Sequence, residues 1–95
     1  MIVNNLMLKL KNRDEKSIME AKNVLLSMKG NIEFLLDLQV ETNIRAGSSA
    51  YDIVLIAKYV SMKDLESYLA HPKHVEVGKF IGSVLESQAS VCYEV

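Results

Sequence analysis

The chain has 95 residues, 49% hydrophobic and 24% charged, with a formal net charge of −1, the make-up of one ordinary globular domain. Its eleven basic and twelve acidic residues are dispersed without a basic tract, which excludes an electrostatic nucleic-acid footprint. The longest apolar run, Ile53–Ala57, is far too short to span a membrane, and Met1–Leu10 lacks the cleavage pattern of a secretory leader.

Ile2, Leu6, Leu8 and Leu10 alternate with Val3, Asn5, Met7 and Lys9, predicting a first strand. Asn4 falls on the leucine face, where a polar side chain needs a partner; it is either a buried hydrogen-bonding residue or part of a pocket. Asn12 to Gly30 reads as a helix. Asp14 and Glu15 suit the positive end of its macrodipole. Ile18, Ala21, Leu25 and Met28 form its apolar face, widened by Met19 and Val24, and Gly30 supplies a left-handed end.

Leu36, Leu38, Val40, Thr42 and Ile44 alternate with polar residues as a second strand with one wet face, the antiparallel pattern. Arg45–Ala50 is a hairpin-type loop carrying Gly47, Ser48 and Ser49; it lacks the lysine of a phosphate loop and a following helix. Tyr51–Val60 forms a third strand, apolar on both faces at Ile53–Ala57, so both faces need covering.

Ser61 and Asp64 resemble a capping box opening a short helix, Met62–Ala70. Pro72 suits the first turn of a further helix reaching about Gln88, with Val75, Phe80, Ile81, Val84 and Leu85 inward. Val91, Tyr93 and Val95 alternate as a last strand, where Cys92 is expected to pack rather than react. A lone cysteine permits no intramolecular disulfide, and a reducing cytoplasm is the expected location.

The order β-α-β-β-α-β is an α+β, ferredoxin-like arrangement with the helices on one face of a four-stranded antiparallel sheet. The doubly apolar third strand leaves the opposite face bare, and an exposed apolar face marks an interface. The expectation is a single domain over residues 1–95 that pairs with itself through the sheet faces.

Chemistry concentrates in Tyr68-Leu-Ala-His71-Pro72-Lys-His74, which holds both histidines and the only proline. An imidazole titrates near neutrality, so His74 could act as a general base on a carbon next to a carbonyl. The alternative is that both histidines fix the turn around Pro72, a reading favoured for His71. His-x-x-His supplies only two of the three or more ligands a zinc site needs, so no metal is assigned. No cofactor is assigned either. The five methionines are dispersed and read as core.

The opening Asn5-Leu-Met-Leu-Lys-Leu-Lys11, Leu25-Leu-Ser-Met-Lys-Gly30, Ala50-Tyr-Asp-Ile-Val-Leu55 and the Tyr68–His74 segment resemble the stress-responsive dimeric α/β-barrel (Dabb) family over roughly residues 3–94. The resemblance implies a ferredoxin-like protomer whose sheets associate into a barrel-like dimer. Members include stress proteins and a plant polyketide cyclase, whose catalytic tyrosine and histidine correspond to Tyr68 and His74. That cyclase has a histidine in its first strand where this chain carries Asn4. The leading expectation is a homodimer binding a small apolar or aromatic molecule between sheet and helices, with Asn4, Tyr68, His71 and His74 as ligand contacts. Two alternatives stand beside it. One is a cofactor-free cyclase, isomerase or lyase using His74 as base and Tyr68 as oxyanion partner; the other is a non-enzymatic stress or scaffold protein.

Overall fold

A computed structural model describes residues 1–95. Its elements are β1 (Ile2–Leu10), α1 (Glu15–Leu26), β2 (Asp37–Thr42), β3 (Ile53–Tyr59), α2 (Met62–Ala70), α3 (Pro72–Val84) and β4 (Leu85–Glu94). The four strands form one antiparallel sheet in the order β2-β3-β1-β4, the ferredoxin-like arrangement.

One side of the sheet carries the core. Leu8 and Leu10 of β1, Leu38 and Val40 of β2 and the alternate β3 residues Ile53, Leu55, Ala57 and Tyr59 are buried there, with Ala21, Leu25, Val77 and Ile81 from α1 and α3. The other side of β3 presents Val54, Ile56 and Lys58, half-buried. No helix lies over that side, and Met7, Val91 and Tyr93 are exposed on it. The contrast between the two faces of β3 is the apolar excess noted in the sequence.

Helix starts follow side-chain capping. The Asp14 carboxylate accepts from Ser17 N at 2.7 Å to open α1, and Ser61 Oγ accepts from Asp64 N at 3.2 Å to open α2. The first helix is shorter than its apolar period, ending at Leu26. The chain continues in tight turns, Met28 N to Leu25 O and Lys29 N to Leu26 O, before Gly30 turns it at φ 79°.

Several expectations are corrected. The second strand is Asp37–Thr42, and Leu36 and Ile44 lie outside it, 53% and 100% exposed. At the Ile44 end, Asn43 donates to Tyr51 O at 2.7 Å and accepts from Arg45 N at 2.8 Å, an Asx turn that diverts the chain. Val75 is exposed while Val77 takes the inward position. The last helix stops at Val84 rather than Gln88, and β4 runs for ten residues along the whole of β1, Leu85 opposite Leu10 and Glu94 opposite Ile2. As an edge strand exposed over most of its length, β4 needs no alternating pattern, so its first half is indistinguishable by period from a helix tail. Cys92 on that strand is exposed and packs in no core of the protomer.

Candidate functional site

The α2–α3 junction positions the titratable side chains. His71 ends α2 and begins α3, at φ −65° and ψ 136°, the extended backbone favoured before proline. Its N–H donates to Tyr68 O at 3.1 Å, its carbonyl accepts from Val75 N at 3.0 Å, and its Nδ1 accepts from Lys73 N at 3.0 Å. With Nδ1 an acceptor, the neutral His71 ring carries its proton on Nε2. Every one of these contacts holds the turn.

His74, one turn into α3, has the opposite tautomer. Its Nδ1 lies 3.1 Å from Leu69 O, and a carbonyl only accepts, so Nδ1 bears the proton and Nε2 keeps a free lone pair. Burial holds its pKa below the ordinary histidine value, opposed by the Leu69 bond. The ring is therefore neutral at pH 7, the form in which it accepts a proton. Tyr68 stands beside it, with ring centroids 4.5 Å apart and planes tilted by 55°. The Tyr68 hydroxyl is buried, which raises its pKa, and it donates to a weak acceptor, Met28 Sδ at 3.6 Å.

Both residues line a cavity of about 230 Å³ between the sheet and α3. Leu6, Leu8 and Leu55 form its floor, Met28 and Ile81 its walls, and Gln88 reaches it from β4. Gly78 and Gly82 complete the wall on α3. Neither has a positive φ, and a Cβ at either would meet nothing within 4 Å, so neither backbone geometry nor packing inside the protomer requires glycine there. A larger hollow of about 690 Å³ lies elsewhere, an open groove on α1 and α3 rimmed by Lys16, Glu20, Lys73 and Glu76. It contains neither Tyr68 nor His74 and its charges alternate in sign, so the smaller cavity is the better candidate.

Of the four residues singled out in sequence, Tyr68 and His74 line this cavity together; Asn4 and His71 do not. Asn4 is half-buried on the helix-facing side of β1, between Ala57 and Cys92. Gln88, Gly78 and Gly82 escaped the sequence reading. The glycines left a signal, since two of them four residues apart weaken a helix without capping it; Gln88 left none, because its strand was read as helix. No three His, Cys, Asp or Glu side chains gather as a metal site.

A sequence profile of the stress responsive A/B barrel domain family, Dabb, matches residues 2–95. The chain belongs to the Dabb family. Comparison with the curated proteins found no match. Among solved structures, a dimeric ferredoxin-like protein of unknown function from Bacteroides fragilis is 24% identical with a TM-score of 0.84, covering 99% of this chain and 95% of that one. A dimeric ferredoxin-like protein of unknown function from Thermobifida fusca is 15% identical at TM-score 0.86, covering 99% and 90%. The hydroxynitrile lyase of Passiflora edulis is 11% identical at TM-score 0.84, covering 99% and 92%. These likenesses establish a shared fold. No helix of this Dabb protein is long and apolar enough to cross a membrane.

Proposed function

We propose that this Dabb protein is a homodimer whose sheet–helix cavity binds a small, mostly apolar molecule, with Tyr68 and His74 as its polar contacts. One observation carries the reading: His74, whose imidazole keeps a free Nε2, and Tyr68, whose hydroxyl is only weakly engaged, line the same apolar cavity. A cavity of roughly 150 Å³ accepts benzene, so about 230 Å³ suits a single substituted ring. Asn4, off the cavity wall, would be reached only by a longer ligand. His71 contributes by fixing the turn from which His74 projects.

The catalytic form of this reading is removal of a proton from a carbon next to a carbonyl. His74 Nε2 takes the proton while Tyr68 donates to the oxygen that gains charge. A lyase on the same fold, that of Passiflora edulis, supports by analogy that the scaffold can carry chemistry. Self-association is supported by the uncovered sheet face, where Met7, Val91 and Tyr93 are exposed, and by relatives described as dimeric.

The test is a thermal-shift screen of small aromatic carbonyl compounds on wild type and His74→Ala, with sedimentation to record the oligomer. A shift in wild type that is lost in the variant, with both proteins folded and dimeric, is the expected result. Equal shifts in the two proteins, or none in a broad panel, would return the histidines to a structural role. Ile56→Lys, on the uncovered face, is expected to yield a folded monomer; a dimer surviving that change would place the interface elsewhere.

A further inference from the structure

Tyr59, at the end of β3, is fully buried, and its hydroxyl is the one buried side-chain polar atom in the chain without a hydrogen-bond partner. Such a group carries a desolvation penalty that an equally sized phenylalanine would avoid. Packing therefore explains the ring but not its oxygen. The Tyr59 ring packs on Tyr68 with centroids 5.0 Å apart, so Tyr59, Tyr68 and His74 form a continuous aromatic row ending at the cavity.

The hydrogen-bonding capacities in this row are complementary. Tyr68 has committed its proton to Met28 Sδ, which leaves its oxygen free to accept. Tyr59 has a proton with no acceptor. The Tyr59 and Tyr68 hydroxyls lie close enough to act on one another's ionisation, Tyr59 favouring the ionised form of Tyr68, yet they fall short of hydrogen-bond geometry. Burial keeps Tyr59 protonated far into the alkaline range, so it can serve only as a neutral donor or acceptor. Met28 lines the same cavity, and a thioether is a weak acceptor, so a carbonyl oxygen in the cavity competes easily for the Tyr68 proton.

We propose that Tyr59 is a positioning residue of this site. When the carbonyl oxygen of a ring-bearing ligand draws the Tyr68 proton away from Met28 Sδ, the Tyr59 hydroxyl donates to Tyr68 Oη and strengthens Tyr68 as a donor. The inference rests on the cavity reading above and adds the ligand feature that Tyr68 recognises, an acceptor oxygen. No covalent change is involved; rotation of the two hydroxyls together with a small approach of Tyr59 Oη to Tyr68 Oη converts an orphan donor and a thioether contact into a chain of two hydrogen bonds.

Tyr59→Phe deletes only the orphan oxygen. Two readouts are taken on wild type, Tyr59→Phe and Tyr68→Phe: the ionisation of Tyr68 by NMR of ring-labelled tyrosine, and affinity for acetophenone relative to ethylbenzene, which has nearly the same shape without the acceptor. In Tyr59→Phe, the melting temperature is expected to be no lower than wild type, the Tyr68 midpoint higher, and the acetophenone preference reduced about twofold. In Tyr68→Phe that preference falls by roughly three- to tenfold. An unmoved Tyr68 midpoint in Tyr59→Phe overturns the assignment whatever the ligands do. Loss of stability with that midpoint unmoved would make the hydroxyl structural. Failure of wild type to bind acetophenone, with the midpoint moved as expected, would count against the cavity reading and leave the tyrosine pair standing.

Discussion

The two ends of β1 carry buried polar groups treated in opposite ways. At the Leu10 end, Asp52 is 5% exposed and saturated: one carboxylate oxygen accepts from Leu10 N at 2.8 Å and the other from Arg13 Nε at 2.9 Å. The remaining Arg13 nitrogens donate to Gly47 O at 3.1 Å and Ala50 O at 2.8 Å, which pins the β2–β3 loop to the start of α1. Tyr59, opposite Ile2, lacks any partner; Tyr68, packed on it, settles for a thioether, and His74 beside Tyr68 leaves one ring nitrogen free. A saturated network has nothing left to offer a ligand and acts as a latch. An unsaturated one beside a cavity keeps capacity in reserve.

The largest expected effect comes from breaking the saturated end. Asp52→Ala strands the Leu10 N–H and the Arg13 guanidinium, at an expected cost of about 3 kcal/mol measured by urea unfolding. A change below about 1 kcal/mol would mean that water replaces the carboxylate freely and that the latch is not structural. The unsaturated end should respond in the other direction. Gly78 sits inside α3 with no atom within 4 Å of a built Cβ, so Gly78→Ala is expected to stabilise the protein by about 1 kcal/mol through helix propensity. Destabilisation there would show that another surface approaches that backbone closely.

The smallest effect is the pH dependence of the open end. Burial holds the folded-state pKa of His74 below its unfolded value. The unfolded chain therefore takes up this proton first as pH falls. The contribution of His74 is full above the unfolded value, near 6.5, and is lost as pH drops through that value toward the folded one. His74→Gln should flatten the fall in melting temperature between about pH 7.5 and about pH 5.5. An unchanged slope would show that His74 titrates as it does in the unfolded chain.

Much of the fold was legible because its signals are periodic or local: the alternation of β1 and of Leu38 and Val40, the doubly apolar β3, and the cap at Ser61. The boundaries that moved lie where tertiary pairing outweighs local preference. β4 is recruited along the whole of β1 although Glu86–Ser90 has no strand period, and Asn43 ends β2 through side-chain bonds that no hydrophobic pattern records. Of the cavity lining, Tyr68 and His74 were singled out by the family resemblance of the segment around Pro72. Tyr59 was not, because a tyrosine completing an apolar strand looks like core until its oxygen is found without a partner. Gln88 became visible only with the register of β4 on β1.

The most direct test of the cavity uses the methionine methyl groups as reporters. Of the five methionines, Met28 lines the cavity, Met19 the groove between α1 and α3, and Met7 the uncovered side of the sheet. Acetophenone titrated into wild-type protein with labelled methionine methyls should shift Met28 saturably and leave Met19 and Met7 in place. Shifts at Met19 or Met7 without Met28, or no shift up to the solubility limit, would contradict the account.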